Sequence, residues 1–572
     1  MTTAIIAFSR PAFAIRTRAR VRPRRIHFEN AVLLVGATAF YIAVSAYLVF
    51  HMHYMIDDAY ARIDNTFDVL FTSDPHLAGI GFFWPPLPSF LELPIIAFKG
   101  LWPPLVTQGF AGSIEASLFG AGTVVLLNSG LKWAGVVRGM RWVICLIWMA
   151  NPMTIIYAAQ GMSEAPFIFF FMASILVFLR WTESNRTSLL PLMGVLAGLG
   201  CLCRNEAFAV AFLMGVGVIA VAVRRRARWR EIENVALLYG LPTLFVIMLW
   251  LGTAAIILHD PLYWLHANGI GLFPSNSSAA AIQGSTAAAG THVSRASAFG
   301  VIQMKGFTNA ATFIVGHSLA LFPGVVAMLA LLGVRLVTRQ NRLGTLMLVA
   351  FGLSIPALDM YIIQSGLGPY LRYQISVIPF AFVIAIFVLR AVRGKHALVS
   401  SWVALGIAAV LGVSNIQTAQ TLANPAIGSQ EAPLIAAIQA GKTVPDATGI
   451  RNKILIGADI TPRILALDKD GGHILCDSTT CFPIILNAPD ATQFLVTSDR
   501  TFEAAAAAPQ NYGIEYFLVP ALNGQGAFER LNTLYPSLWD NGAGFATLVG
   551  GVDGDPMGQW RLYRITGPTG RL

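Results

Sequence analysis

Residues 30–64 read NAVLLVGATAFYIAVSAYLVFHMHYMIDDAYARID. Positions 30–50 are apolar almost throughout, and a helix of that length reaches across a hydrocarbon core roughly 30 Å thick. Residues 51–64 then hold two histidines, three carboxylates and an arginine. The first half of the stretch sets a membrane fold. The second half asks what ionisable chemistry is doing at the end of a membrane span.

The rest of the chain repeats the first half. It has 572 residues, 55% hydrophobic and 12% charged, against about 25% charged in ordinary soluble proteins. Apolar runs of about 20 residues recur through the first 420 positions and divide into about eleven spans. These are 30–50, 108–130, 141–158, 165–181, 188–202, 205–223, 235–258, 307–334, 343–363, 375–391 and 398–416. A basic tail precedes the first run as in a signal sequence, but the run has full-span length and no small-residue cleavage site, so it reads as an uncleaved anchor.

Lysine and arginine orient the spans, since cytoplasmic loops are enriched in them. With the amino terminus cytoplasmic, Arg16, Arg18, Arg20, Arg22, Arg24 and Arg25 lie inside, as do Arg224, Arg225, Arg226, Arg228 and Arg230. Within the membrane part, Arg62, Lys99, Arg204, Arg295, Lys305 and Arg372 fall outside. Topology therefore accounts for the net charge of +10, and no nucleic-acid partner is indicated. The expected division is a cytoplasmic tail at 1–29, a membrane module at 30–418 with its first outside loop at 51–107, and an extracytoplasmic domain at 419–572. The expected location is the cell membrane, multi-pass.

Past residue 417 the hydrophobic runs shorten. Strands are expected at 453–460 (KILIGADI), 473–477, 493–499, 514–520 and 559–565, with helices at 461–467, 501–508 and 525–534. That alternation describes a small α/β domain, with no glycine-rich phosphate loop. Cys476 and Cys481 lie where oxidation is permitted and are candidates for a short-loop disulfide. In the first outside loop FFWPPLPSF (82–90) and GLWPPL (100–105) fit segments lying in the membrane interface, where aromatic rings prefer to sit.

Charged residues gather at one depth. Asp57 and Asp58 follow the first span; Glu164 sits in QGMSEAP, Arg204 and Glu206 in CLCRNEA, and Arg372 and Tyr373 in GPYLRYQ. Asp359 and Gln364 are placed near the outer end of the ninth span. Charges against a span are costly and tend to be functional or paired; an Arg204–Glu206 pair that only locks helices is the plain alternative. Adjacent carboxylates repel, so one holds its proton more tightly, as a general base requires. Arginine pairs its planar fork with phosphate oxygens. A transporter would place its charges near the bilayer midplane; this depth suits an enzyme acting on a lipid headgroup.

The order of these features resembles the GT-C superfamily of integral-membrane glycosyltransferases, in particular the family 39-like members that use polyprenyl-phosphate sugars. The resemblance covers roughly residues 28–420 and rests on the acidic pair after the first span, NPM with GMSEA, R-x-E after a glycine-rich span, and G-P-x-x-R-Y. It implies inverting transfer of a sugar, of mannose or arabinose type, from a polyprenyl-phosphate donor to a glycan, lipid or protein acceptor of the cell envelope. By that resemblance Asp57 or Asp58 is the base, with Asp57 preferred. Glu164 orients the acceptor or binds a divalent cation, and Arg372 binds the lipid phosphate with Arg204 as second candidate. Segments around 59–72 and 86–99 would be the interface helices flanking the site. His76 and His266, the latter in HDPLYWLHANG (259–269), are placed along the acceptor path. A site of Asp57, Asp58, Glu164 and a histidine would suit Mg or Mn, yet many relatives are metal-independent, so no cofactor is assigned. The runner-up reading is a lipid or glycan transporter or flippase.

Overall fold

Two proline-marked breaks show how the membrane part is built. The structure is a computed structural model that describes residues 28–264, 307–338, 341–364, 370–393, 397–468, 470–522, 526–527, 529–554 and 558–569. Among these, eight helices are long and apolar enough to cross a membrane: Phe28–His51, Phe110–Ala134, Glu164–Ser184, Glu206–Arg224, Trp229–Leu258, Arg342–Met360, Leu371–Val392 and Leu398–Ala423. Two bent helix pairs are long and apolar enough only when taken together: Arg138–Met149 with Pro152–Ala159 at 68°, and Phe307–Leu321 with Gly324–Val337 at 99°. Proline cannot donate the helical hydrogen bond, so Pro152 and Pro323 mark the breaks.

Backbone groups freed by a break must find partners where no water is available. The last span supplies them from one face. Its Ser414 Oγ accepts from Gly324 N–H at 2.9 Å, and Thr418 and Thr421 donate to the carbonyls of Leu321 and Ala320. Asn415 Oδ1 accepts from Asn151, the N-cap of the other broken pair, at 2.9 Å. One polar stripe thus reaches both breaks.

The first span ends in a π-helical turn, Tyr47–His51, and His53 takes a left-handed φ of 51°. The chain then runs extended through Ile56 and starts the helix Asp57–Leu70. Asp57 and Asp58 occupy its first turn, where the helix dipole favours negative charge. This helix overlaps the expected segment at 59–72, beginning two residues before it, and Leu87–Ile96 lies inside the one expected at 86–99. The aromatic loop is less lipid-facing than the sequence suggests. Phe82 is buried and stacks on Trp250 at 4.5 Å, and Trp84 lies under the Arg62 guanidinium at 4.9 Å.

The C-terminal domain has a five-stranded sheet. Its strands are β1 (His473–Cys476), β2 (Phe494–Val496), β3 (Ile514–Pro520), β4 (Ala546–Gly554) and β5 (Gly558–Ile565), in the order β2-β1-β3-β5-β4. β1 pairs in parallel with β2 and β3, and β5 runs antiparallel to β3 and β4. Cys476 and Cys481 form a disulfide between β1 and the helix Ser478–Asn487.

The expected strand at 453–460 is a helix, Lys453–Leu465. Its buried positions, Lys453, Ile456, Gly457, Ile460 and Ile464, recur every three or four residues, and Asn452 caps it by accepting from Leu455 N–H at 3.2 Å. A Cβ at Gly457 would collide with the Pro483 carbonyl, so glycine lets this helix lie against Ser478–Asn487. The expected helix at 525–534 is confined to Arg530–Leu534, and β4 has no counterpart among the expected strands.

The domain packs on the first loop. Val444 N–H donates to the Met52 carbonyl at 3.0 Å and Asn452 donates to the His53 carbonyl. Further along, Ser498 donates to Asp68 at 2.7 Å and Arg500 pairs with Asp74. Loop and domain therefore form one continuous packed surface at this end of the bundle. Between loop and domain run, among the described residues, seven of the long helices, the two bent pairs and the shorter apolar helix Leu189–Cys201.

Candidate active site

Each carboxylate of the acidic pair has its own cation. Arg372, on the short 3-10 turn Leu371–Gln374, donates to Asp58 Oδ2. Lys453, at the start of its helix in the C-terminal domain, sits 3.9 Å from Asp57 Oδ2. The two environments differ. The Asp57 side chain is 55% exposed and that of Asp58 37%. Desolvation raises the Asp57 carboxyl above the usual aspartate range, with Lys453 opposing it and Asp58 adding to it. At Asp58 desolvation is outweighed by the charge and hydrogen bond of Arg372, helped by Arg62 and Lys453, so its carboxyl lies below that range.

The backbone before the pair is clamped by one side chain. Gln160 accepts from Ile56 N–H at 3.0 Å and donates to the Tyr54 carbonyl at 3.2 Å. Gln160 reaches this point because the following Gly161 takes a φ of 72° and meets Gly112 backbone to backbone, leaving no room for a Cβ. The same turn delivers Glu164, which is buried.

Glu164 meets Arg204, whose guanidinium also bonds Glu206 through Nε at 3.1 Å and Nη2 at 2.5 Å. All three nitrogens of Arg204 are therefore engaged by carboxylates. Tyr373 bridges the two arginines, its ring 5.6 Å from the Arg204 guanidinium and 5.7 Å from that of Arg372. Asp359 is buried within electrostatic reach of Glu206 and Arg204, and the Gln364 side chain lies outside what the structure describes. Asp57, Asp58, Glu164, Arg204, Glu206, Arg372 and Tyr373 thus form one connected cluster.

The two histidines fare differently. The His76 ring contacts the Asp74 carbonyl at 2.6 Å, and Asp74 is paired with Arg500 of the C-terminal domain. His76 therefore belongs to the seam between loop and domain, because the 70s turn is drawn onto that domain and away from the acidic pair. His266 lies outside the described residues.

Several members of the cluster were not singled out from sequence. Glu92 and Glu115 are buried next to Arg62, and Glu92 accepts from Thr66 at 2.9 Å. Tyr157 donates to Glu431 at 2.5 Å, and Tyr54 to the Gln430 carbonyl at 2.8 Å. Glu115 did carry a signal, since it is an acidic residue inside the span Phe110–Ala134. Lys453 carried none, standing at the head of an apolar run directly after Arg451 and Asn452.

Many polar atoms here are buried without a hydrogen-bond partner. They include Nε of Arg62 and Arg372, both amide atoms of Gln374, both carboxylate oxygens of Glu115, and one oxygen each of Glu92, Glu164 and Asp359. A buried unsatisfied polar group costs about 1–3 kcal/mol, so such a concentration is expected where a polar ligand or water completes the site. Among the described residues no group of three or more His, Cys, Asp or Glu is placed to hold a metal ion. Asp58 and Glu164 are each turned onto a guanidinium, an arrangement that does not fit the Mg or Mn site considered above.

No protein-family model and no curated protein sequence matches the chain. Among solved structures it is similar to ArnT from Cupriavidus metallidurans bound to undecaprenyl phosphate, at 12% identity and a TM-score of 0.52, over 95% of this chain and 100% of that one. The apo state of the same protein matches at 12% identity and 0.48 over 95% and 99%. The archaeal oligosaccharyltransferase AglB from Archaeoglobus fulgidus, in complex with an inhibitory peptide and a dolichol-phosphate, matches at 11% and 0.43 over 94% and 74%. The first likeness spans the membrane bundle and the appended domain alike. With the architecture described above, it gives this chain the fold seen in ArnT, a helical membrane bundle carrying an appended domain.

Proposed function

We propose that the protein is an inverting glycosyltransferase that moves a sugar from a polyprenyl-phosphate donor to a cell-envelope acceptor at the outer face of the membrane. The observation that carries this reading is the division of labour within the acidic pair. Asp58 is paired with Arg372, while more than half of the Asp57 side chain is open to a substrate. A carboxylate accessible to substrate and not tied up by an arginine suits general-base work.

In the reaction Asp57 accepts the proton of an acceptor hydroxyl. The acceptor oxygen attacks the anomeric carbon from the face opposite the phosphate, the bond from that carbon to the phosphate oxygen breaks, and polyprenyl phosphate leaves with the bonding electrons. Arg372 stabilises the leaving phosphate through the edge of its guanidinium that carries the unpartnered Nε. Arg204, held on both sides by Glu164 and Glu206, sets the position of Tyr373 and through it the plane of Arg372. The lipid seen with the structurally similar ArnT supports a polyprenyl phosphate as carrier. The donor sugar is taken to be of mannose or arabinose type, and the acceptor a glycan, lipid or protein.

Broken helices are also a mark of transporters. Here Ser414, Thr418 and Thr421 of the last span already engage Gly324 N–H and the Leu321 and Ala320 carbonyls at one break, and Asn415 bonds Asn151 at the other, so these groups are taken up by the bundle itself. The test is donor consumption. Wild type in liposomes, given a panel of polyprenyl-phosphate sugars and native lipid extract, is expected to release polyprenyl phosphate from one donor class, detected by mass spectrometry. Asp57→Asn is expected to lower the rate about 10³-fold in folded protein. Undiminished release by both Asp57→Asn and Asp58→Asn would end this reading.

A further inference from the structure

We propose that Lys453 is a positioning residue for Asp57, so that the C-terminal domain completes the proton-accepting site that the membrane bundle begins. This rests on the reading of Asp57 as the base.

The geometry is specific. The Lys453 side chain is 8% exposed, and its ammonium lies 3.9 Å from Asp57 Oδ2 and 4.6 Å from the centre of the Phe482 ring. Burying a lysine is costly unless an opposite charge faces it, and the ion pair it makes is with Asp57. Its helix is tied to the backbone leading into the acidic pair, since Asn452 caps the helix and donates to the His53 carbonyl. Phe482 packs edge-on against Tyr60 at 5.6 Å, and Asn487 donates to the Tyr60 hydroxyl at 3.0 Å. Asp57 is thereby bracketed, with the domain bonded to the chain three or four residues on either side of it.

The charges around Asp57 allow Lys453 to matter. Asp58 on its own helix, Tyr54 on the segment before it and Tyr370 beyond it face the same carboxylate, with Arg372 occupied by Asp58. From the helices packed against Asp57–Leu70 come Glu92 and Glu115, which meet Arg62, and Asp477, which faces Asp64. Lys453 is the cation that lowers the Asp57 carboxyl against desolvation. Without it, Asp57 would hold its proton to higher pH and serve as base over a narrower range.

The experiment titrates Asp57 directly in the full-length protein. The infrared band of its protonated carboxyl, assigned by its disappearance in Asp57→Asn, is followed against pH in wild type, Lys453→Met and Lys453→Arg. Lys453→Met is expected to raise the midpoint by about 1 unit and Lys453→Arg to return it toward wild type. The acid limb of donor consumption should move with it, so that the loss on that limb exceeds the loss on the plateau by about tenfold. If Lys453→Met fails to fold, Lys453→Gln gives the same comparison. An unmoved midpoint, or an even loss at every pH that arginine does not restore, overturns the proposal and leaves Lys453 a docking contact. A moved midpoint alongside full turnover by Asp57→Asn would keep the Lys453–Asp57 coupling and discard Asp57 as the base.

Discussion

The two ends of the membrane bundle each bury a network of charges, and the two networks are finished to different degrees. At the end where the chain enters, Arg141 donates to both oxygens of Glu29 at 2.7 and 2.8 Å, to Asn128 at 3.0 Å and to the Val136 carbonyl at 3.0 Å. Trp142 adds a bond to Glu29, and Asn128 passes one on to Asn30. No side-chain atom of that network is left buried without a partner. At the other end Arg372 makes one charged hydrogen bond and keeps a bare Nε, and Glu115 keeps both oxygens bare. A closed network fixes helices. An open one stores unmet hydrogen bonds that a substrate can satisfy.

That contrast is most easily broken at Asp57. Asp57→Asn should lower turnover about 10³-fold while the thermal midpoint of the detergent-solubilised protein stays near wild type; a large fall in stability would make the open end structural too. Arg141→Ala should do the reverse. It takes the bidentate partner from the half-buried Glu29, which keeps Trp142 and Arg138 beside it, and should lower stability by about 2 kcal/mol, with turnover per folded molecule unchanged. Calorimetry set beside donor consumption checks both. Asp58→Asn sharpens the division within the open end. Since Asp58 competes with phosphate for Arg372, turnover should fall less than about tenfold and KM for the donor should not rise.

The smallest effect lies at the seam between loop and domain. Burial, opposed by the Ser498 hydrogen bond and aided by the charge of Asp499, pushes the Asp68 carboxyl up to about 7. A carboxyl raised in the folded state favours folding while protonated. Its contribution is complete below the unfolded value near 4 and is lost as pH rises through about 7. Wild type should therefore lose stability between pH 5 and pH 8, and Asp68→Asn should lose less, by on the order of 1 kcal/mol. Thermal melts across that range decide it.

The spans were legible because a membrane demands a long apolar run and punishes stray charge, so Asp57, Asp58, Glu164, Arg204, Glu206 and Arg372 stood out against their surroundings. The bends were less so. The sequence marks each with a proline, but the 68° and 99° angles depend on a last span that forgives them. The strand expected at 453–460 failed for a local reason: a short run rich in isoleucine fits either period, and the Asn452 cap decided for a helix. Lys453 was out of reach altogether, since its meaning comes from a contact across 396 residues of chain.

The stripe on the last span also governs the order in which the protein can be made. Residues 151 and 324 enter the membrane long before residues 414–421 leave the ribosome, and until then both breaks lack the groups that close them. The nascent bundle must wait, half assembled, with its broken helices shielded by insertion machinery or by water. A chain cut short ahead of Ser414 would leave Gly324 N–H and the Leu321 and Ala320 carbonyls without these partners.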